Sequence, residues 1–293
     1  FSDLGASDFL PLGPESQWDG VVLLATVPGA PQAPLTRHDK PIVVVTPASF
    51  DDVHEAAVEA AALRQALDSA EATHADWVAT RELSERASAA KQRLETLVAQ
   101  AWGPRSAKWL LVNRGVELDA RAGVSAALSA AVDAVYVSTP RIANEMISRR
   151  ELTSQGAKAR RVLIDSFIAN PRIEAFAIGG YGPDRAIYEA VFRTTGLHRL
   201  AGKSGEWSIT DPKDTAWKKL WCQLKSSIES TTSERVSLVQ VANVMKQPPF
   251  GLKDGINPLL LVVALSELAD DVALYEHGSL VLKLDDAVAE RMA

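Results

Sequence analysis

The amino-acid sequence predicts a mainly α chain with small β elements, in which a helical coiled-coil hairpin is followed by two winged-helix-like modules. Three observations lead there. Apolar residues recur at alternating spacings of three and four over two long stretches, residues 53–67 and 77–97. The β-branched runs are short and bounded by Gly and Pro. The order helix, helix, hairpin occurs twice in the C-terminal half. The expected segments are 1–139, with short strands and the helical hairpin; 140–211, a basic first module; and 212–293, an acidic second module with an apolar core helix.

Residues 18–27 ("WDGVVLLATV") and 41–46 ("PIVVVT") read as strands, separated by a Pro-rich loop. Ser49 is placed to cap a helix whose first turn holds Asp51 and Asp52, favourable at the positive end of the dipole. That helix aligns Val53, Ala56, Ala60, Leu63 and Leu67. A second helix, residues 75–101, aligns Trp77, Leu83, Ala87, Ala90, Leu94 and Leu97, and Gly103-Pro104 ends it. A third, Ala-rich helix is expected over residues 119–136.

In the last third, Trp217, Trp221, Leu224 and Ile228 share one helical face. Ser237 and Gln240 form the S-x-x-Q pattern of a capping box, with Val236 and Val241 at the positions of a hydrophobic staple. Asn257-Pro258 reads as cap and first position of the next helix. "VALYEHGSLVLKL" then places two apolar runs around His277-Gly278, a β-hairpin signal. The same order occurs earlier: a helix over 157–169, "FAIGGYGPDRAIYEAVFRTT", then "GLHRLAGKSGEWSI". Phe176, Ile178 and Pro183 correspond to Phe250, Leu252 and Pro258 when one gap is allowed, which suggests a tandem repeat. By that correspondence "FGLKDG" is a structural turn. Phe250 and Leu252 anchor it, while Gly251 and Gly255 permit its backbone. A ligand cradle is the competing reading of the same stretch.

The charge is unevenly distributed. Residues 1–139 carry a net −7, residues 140–225 a net +6 and residues 226–293 a net −5. Within the basic middle, Arg149, Arg150, Lys158, Arg160 and Arg161 cluster, and the presumed recognition helix adds Arg185 and Arg193. These seven are the candidate nucleic-acid contacts, because such a cluster neutralises phosphates. They serve equally to pair with the acidic segments of the same chain. The corresponding helix of the second module, "PLLLVVALSELADD", has no basic residue, so that module is expected to pack or to bind a protein.

Signals of catalysis are sparse. "GLHRLAGKS" has five residues between Gly196 and Gly202 where a phosphate-binding loop has four, and a strand follows it. The five histidines lie at no metal-ligand spacing, and no G-x-S-x-G elbow occurs. The expectation is therefore no catalytic residue, no metal and no cofactor in this segment. The single cysteine, Cys222, allows no internal disulfide and fits a reducing cytoplasm. The longest apolar run, residues 258–265, is far shorter than the ~20 residues of a membrane span. A chain that opens on Phe1, not Met, is expected to be a piece of a longer protein.

"STPRIANEMISRRELTSQGAKARRVLIDSFI", "GGYGPDRAIYEAVFRTTGLHR" and "PPFGLKDGINPLLLVVAL…VALYEHGSLV" occur in that order across about half the chain. They resemble the region beyond the nucleotide-binding part of very large bacterial P-loop ATPases, the PglY-like proteins of phage-exclusion (BREX-type) defence systems. The resemblance implies a non-catalytic assembly region of a multi-domain ATPase. Its partners would be other defence proteins or its own ATPase core, with DNA contact through the basic middle. This chain has no phosphate-binding loop, so no catalytic residue carries over. The alternative reading is a stand-alone winged-helix DNA-binding regulator with a helical dimerisation arm.

Overall fold

The protein is mainly α with small β elements, as a computed structural model describes it for residues 18–26, 39–72, 76–201, 205–232, 235–281, 284–285, 288–289 and 291. It divides into two compact units, residues 1–135 and 136–293.

The first unit holds a four-stranded sheet in the order β1-β2-β3-β4. These strands are Val21–Leu24, Ile42–Thr46, Lys108–Leu111 and Val116–Leu118. β1 runs parallel to β2, while β2–β3 and β3–β4 are antiparallel. β2 is buried on both faces, which is why it reads as the unbroken apolar run "IVVV" instead of an alternation. The N-terminal strand spans four of the residues expected for it, and expected residue Val27 lies outside the described residues. β3 and β4 have no counterpart in the sequence reading.

Between β2 and β3 the chain makes a helical hairpin of α1 (Asp51–Ala72) and α2 (Trp77–Ala101). Ser49 Oγ accepts from the Asp51 amide at 3.2 Å, one residue ahead of the cap position, since the first helical bond runs from the His54 amide to the Phe50 carbonyl. Ala56, Leu67 and Ala90 are the buried seam residues, and Val53, Ala60, Leu63, Leu83, Ala87, Leu94 and Leu97 are half-buried beside them. Trp77 is the exception: it opens α2 and is 71% exposed, so it stands outside the seam. α3 is Val124–Val135, starting later than expected because Asp119 caps a turn at Arg121 and Gly123 follows with φ 124°.

The second unit has one core that draws on residues from Ile147 to Ala289. The expected modules, 140–211 and 212–293, are thus packed on a common interior. The reason lies in α8 (Asn257–Glu267), where every residue from Asn257 to Leu265 is buried. A helix apolar on all sides has to be enclosed, and it is met by α4 (Ser154–Ala169) from one segment and by α6 (Thr215–Glu229) and α7 (Leu238–Lys246) from the other.

Of the caps among the described residues of this unit, one of the two expected from the sequence is present, and two more were not anticipated. Thr153 Oγ1 accepts from Gly156 N, which starts α4 three residues before the expected position. Asp214 Oδ1 accepts from the amides of Ala216 and Trp217, both at 3.0 Å. Ser237 and Gln240 form the complete capping box of α7. Asn257 is not a cap: a 3-10 turn, Asp254–Ile256, leads into α8, and Asn257 is buried inside its first turn. α5 (Pro183–Tyr188) carries Pro in its first turn and continues as a π-helical turn, Glu189–Arg193. Among the described residues the unit also holds two hairpins. β5 (His198–Ala201) pairs with β6 (Glu206–Ile209), and β7 (Tyr275–Glu276) pairs with β8 (Ser279–Leu280). Since "GLHRLAGKS" leads into antiparallel β5 and β6, it is a hairpin and not a strand-to-helix phosphate loop, though residues 202–204 lie outside the described residues. His277 and Gly278, with φ of 48° and 84°, make the left-handed two-residue turn that matches strand twist.

Candidate functional site

The expected basic cluster loses one of its five members to the interior. On α4, Lys158 and Arg161 are exposed, whereas Arg160 is 5% exposed and its Nη1 donates to the Gly255 carbonyl at 2.9 Å. A buried guanidinium bonded to backbone is not available to phosphate, which corrects its assignment as a nucleic-acid contact. Arg149 is exposed, and Arg150 is half-buried and engaged. Arg185 and Arg193, on α5 and the π-helical turn that extends it, are also engaged within the fold. Arg185 donates to the Ile178 carbonyl, pairs with Glu189 at 2.7 Å and lies over the Tyr188 ring. Arg193 pairs with Glu189 at 3.4 Å and with Glu174 at 3.5 Å.

The "FGLKDG" turn is tied to the buried Arg160. Gly255 donates its amide to the Arg149 carbonyl at 2.8 Å and accepts Arg160 at its own carbonyl. A Cβ there would sit 2.6 Å from the carbonyl oxygens of both Ile147 and Arg149. Gly251 adopts φ 69°, and a Cβ would fall 2.7 Å from the Tyr136 ring. Phe250 and Leu252 are buried in the core between these two contacts. The stretch is occupied by the protein's own backbone, leaving no room for a ligand cradle.

A second feature has no sequence signature. Ala175, Phe176 and Ala177 are three consecutive residues with φ of 51°, 54° and 62°. Left-handed backbone costs an L-residue roughly 1–2 kcal/mol each. What holds the turn is the burial of Phe176, whose ring is 5.1–5.2 Å from those of Phe167, Tyr188 and Phe192 and 4.4 Å from that of His198. Polar bonds reinforce it. His198 Nε2 lies 3.2 Å from the Pro171 carbonyl, which can only accept, so Nε2 carries the proton. Nδ1 then accepts from the Tyr188 hydroxyl at 2.9 Å, and that oxygen takes the Ala175 amide. Burial pushes the Tyr188 hydroxyl up to about 12 and His198 down to about 4, the latter opposed by its Pro171 bond. Both side chains are closed off from solvent, at 0% and 1% exposed. The pair resembles an acid–base couple in chemistry, yet no reactant can touch it; its role is to pin the turn.

An open groove of about 1100 Å³ lies among the described residues of the second unit, between the end of α6, the first turn of α7 and the β7–β8 hairpin. Its floor is half-buried Leu238, Val272, Leu274 and Val281, and its sides carry exposed Val236 and Val239. Val236, expected to staple onto Val241, is 38% exposed and faces outward enough to add to this surface. Arg235 stacks over Tyr275 with Cζ 4.5 Å from the ring centre. Arg291 donates from Nε and Nη2 to the two carboxylate oxygens of Glu276, Nη2 at 3.0 Å, and these bonds hold Glu276 below the usual carboxylate range. Sequence reading missed the groove. Its one available signal was Val239, an apolar residue on the wrong side of the α7 stripe.

Among the described residues no cluster of His, Cys, Asp or Glu is placed to hold a metal ion, and no helix is long and apolar enough to cross a membrane. Set against models of known protein families, curated proteins and solved structures, the chain gives no match.

Proposed function

We propose that this chain is a non-catalytic interaction region that docks a partner protein, in keeping with its resemblance to the assembly regions of large defence-associated ATPases. In this reading α1 and α2 act as a coiled-coil arm. The helices and hairpins of the second unit act as two winged-helix-like modules fused on a common core, with α8 serving as their shared centre.

The observation that carries the proposal is the groove beside α7. Exposed Val236 and Val239 and half-buried Leu238, Val272 and Leu274 form one apolar surface. A continuous apolar surface rimmed by charged groups is the mark of a protein contact. The polar groups with the most altered acid–base character are meanwhile enclosed, which favours binding over chemistry. DNA contact is weakened as a reading, because Arg160, Arg185 and Arg193 are committed within the fold.

Site-specific photo-cross-linking tests this. A benzophenone residue replacing Val239 in the cell is expected to give adducts that protease destroys and nuclease does not. The same probe at Lys158 is expected to give none. Nuclease-sensitive adducts at Lys158, with nothing at Val239, would replace the protein-docking reading with a nucleic-acid one.

A further inference from the structure

Resting on the docking reading of the α7 groove, the charge around that groove selects its occupant, and we infer that the groove receives an amphipathic segment of a partner protein that carries Lys or Arg beside its apolar anchors. Each cation lining the groove already has a partner: Arg235 lies on the Tyr275 ring and Arg291 is bound to Glu276. The anions are in surplus. Glu229 and Asp271 line the groove and are exposed, and among the described residues no cation is paired with either. Asp270 adds a further exposed carboxylate beside Asp271.

The surroundings have the same sign, since residues 226–293 carry a net −5. A partner bringing carboxylates would meet uncompensated negative charge at the groove mouth. A partner bringing cations would complete two ion pairs while its apolar face covers Val236, Val239 and Leu238. The two kinds of wall also lie in the required arrangement. The exposed apolar residues Val236 and Val239 lie at the start of α7, and the carboxylates unpaired among the described residues come from other elements, Glu229 closing α6 and Asp271 following α8.

The test uses the whole chain and two fluorescent 14-residue amphipathic peptides as probes, one of Leu and Lys and one of Leu and Glu, with leucines at i, i+3, i+4 and i+7. Anisotropy titrations are run at about 50 mM and 200 mM salt, a span over which exposed charge attraction weakens. The Leu/Lys peptide is expected to bind at least tenfold more tightly than the Leu/Glu peptide and to weaken with salt. Val239→Asp and the charge reversal Glu229→Arg with Asp271→Arg each reduce its binding tenfold or more. All three positions are exposed, so circular dichroism serves to show that the fold is retained. Equal affinity for the two peptides, or no loss in the charge-reversed variant, overturns the basic-partner inference while leaving the groove as a docking site. Binding of the Leu/Lys peptide that Val239→Asp does not change overturns both. So does a self-association in sedimentation that Val239→Asp abolishes, because it makes a second copy the occupant.

Discussion

Replacing Tyr188 by Phe removes one oxygen and leaves the ring in place. The consequence falls on two buried neighbours. His198 Nδ1 loses its donor, and the Ala175 amide loses its acceptor. Water cannot replace either bond, since Tyr188 and His198 are 0% and 1% exposed. A buried polar group stripped of its partner costs about 1–3 kcal/mol. Two such groups, one of them anchoring a left-handed turn, give an expected loss of about 2–6 kcal/mol. Urea unfolding of the whole chain measures it, read as a lower midpoint with the slope preserved. Pairing Tyr188→Phe with His198→Phe removes the donor and the acceptor of one bond together, so the double variant is expected to lose less than the sum of the singles. A Tyr188→Phe variant within about 0.5 kcal/mol of the parent protein, the range of ordinary surface changes, would refute the claim that these bonds hold the turn.

The same histidine predicts a pH dependence. Its folded value of about 4 lies below the ordinary 6.5, so between those limits the unfolded chain binds a proton that the folded chain refuses. Stability should fall as pH drops from about 6.5 to 4, by about 3 kcal/mol in all, and His198→Phe should flatten that part of the curve of unfolding midpoint against pH. Gly255→Ala should destabilise by about 1–3 kcal/mol in the same unfolding assay, because its Cβ meets two carbonyl oxygens at 2.6 Å. Phe250→Ala should cost roughly 3–5 kcal/mol; a loss of partner binding with unchanged stability would return "FGLKDG" to the ligand-site reading. Leu67→Asp, at a buried seam position, should lower the melting temperature more than Leu63→Asp or Leu94→Asp at half-buried ones; equal shifts would show that the seam is misassigned.

The parts of this fold that could be read from sequence are those set by local chemistry. Ser237 and Gln240 specify a helix start by themselves, His277-Gly278 specifies a tight turn, and the three-and-four spacing in residues 53–97 specifies a helical pair. The parts that could not be read depend on distant neighbours. Nothing in "EAFA" announces a left-handed turn, because the residues that compensate it, Phe167, Tyr188 and His198, lie elsewhere in the chain. Arg160 and Arg161 are adjacent and identical in type, yet one is buried and the other exposed. Only the rotation of α4 against Gly255 separates them, and a charge count treats them alike. The groove was hidden for a similar reason: its walls come from α6, α7 and a hairpin that no periodicity connects.

The helical hairpin leaves the sheet after β2 and returns at β3, and Thr46 and Lys108 at those points face each other in the ladder. A two-residue turn would join the same strands. The sheet therefore sets no requirement on what fills the interval. At 1.5 Å per residue, α1 and α2 extend roughly 33 and 37 Å. Adding or removing seven residues from each helix keeps their shared seam in phase and changes the reach by about 10 Å, with every strand pairing intact. The reach of the hairpin is thus independent of the strand register at its base, and an insertion or deletion of this size changes the one without disturbing the other.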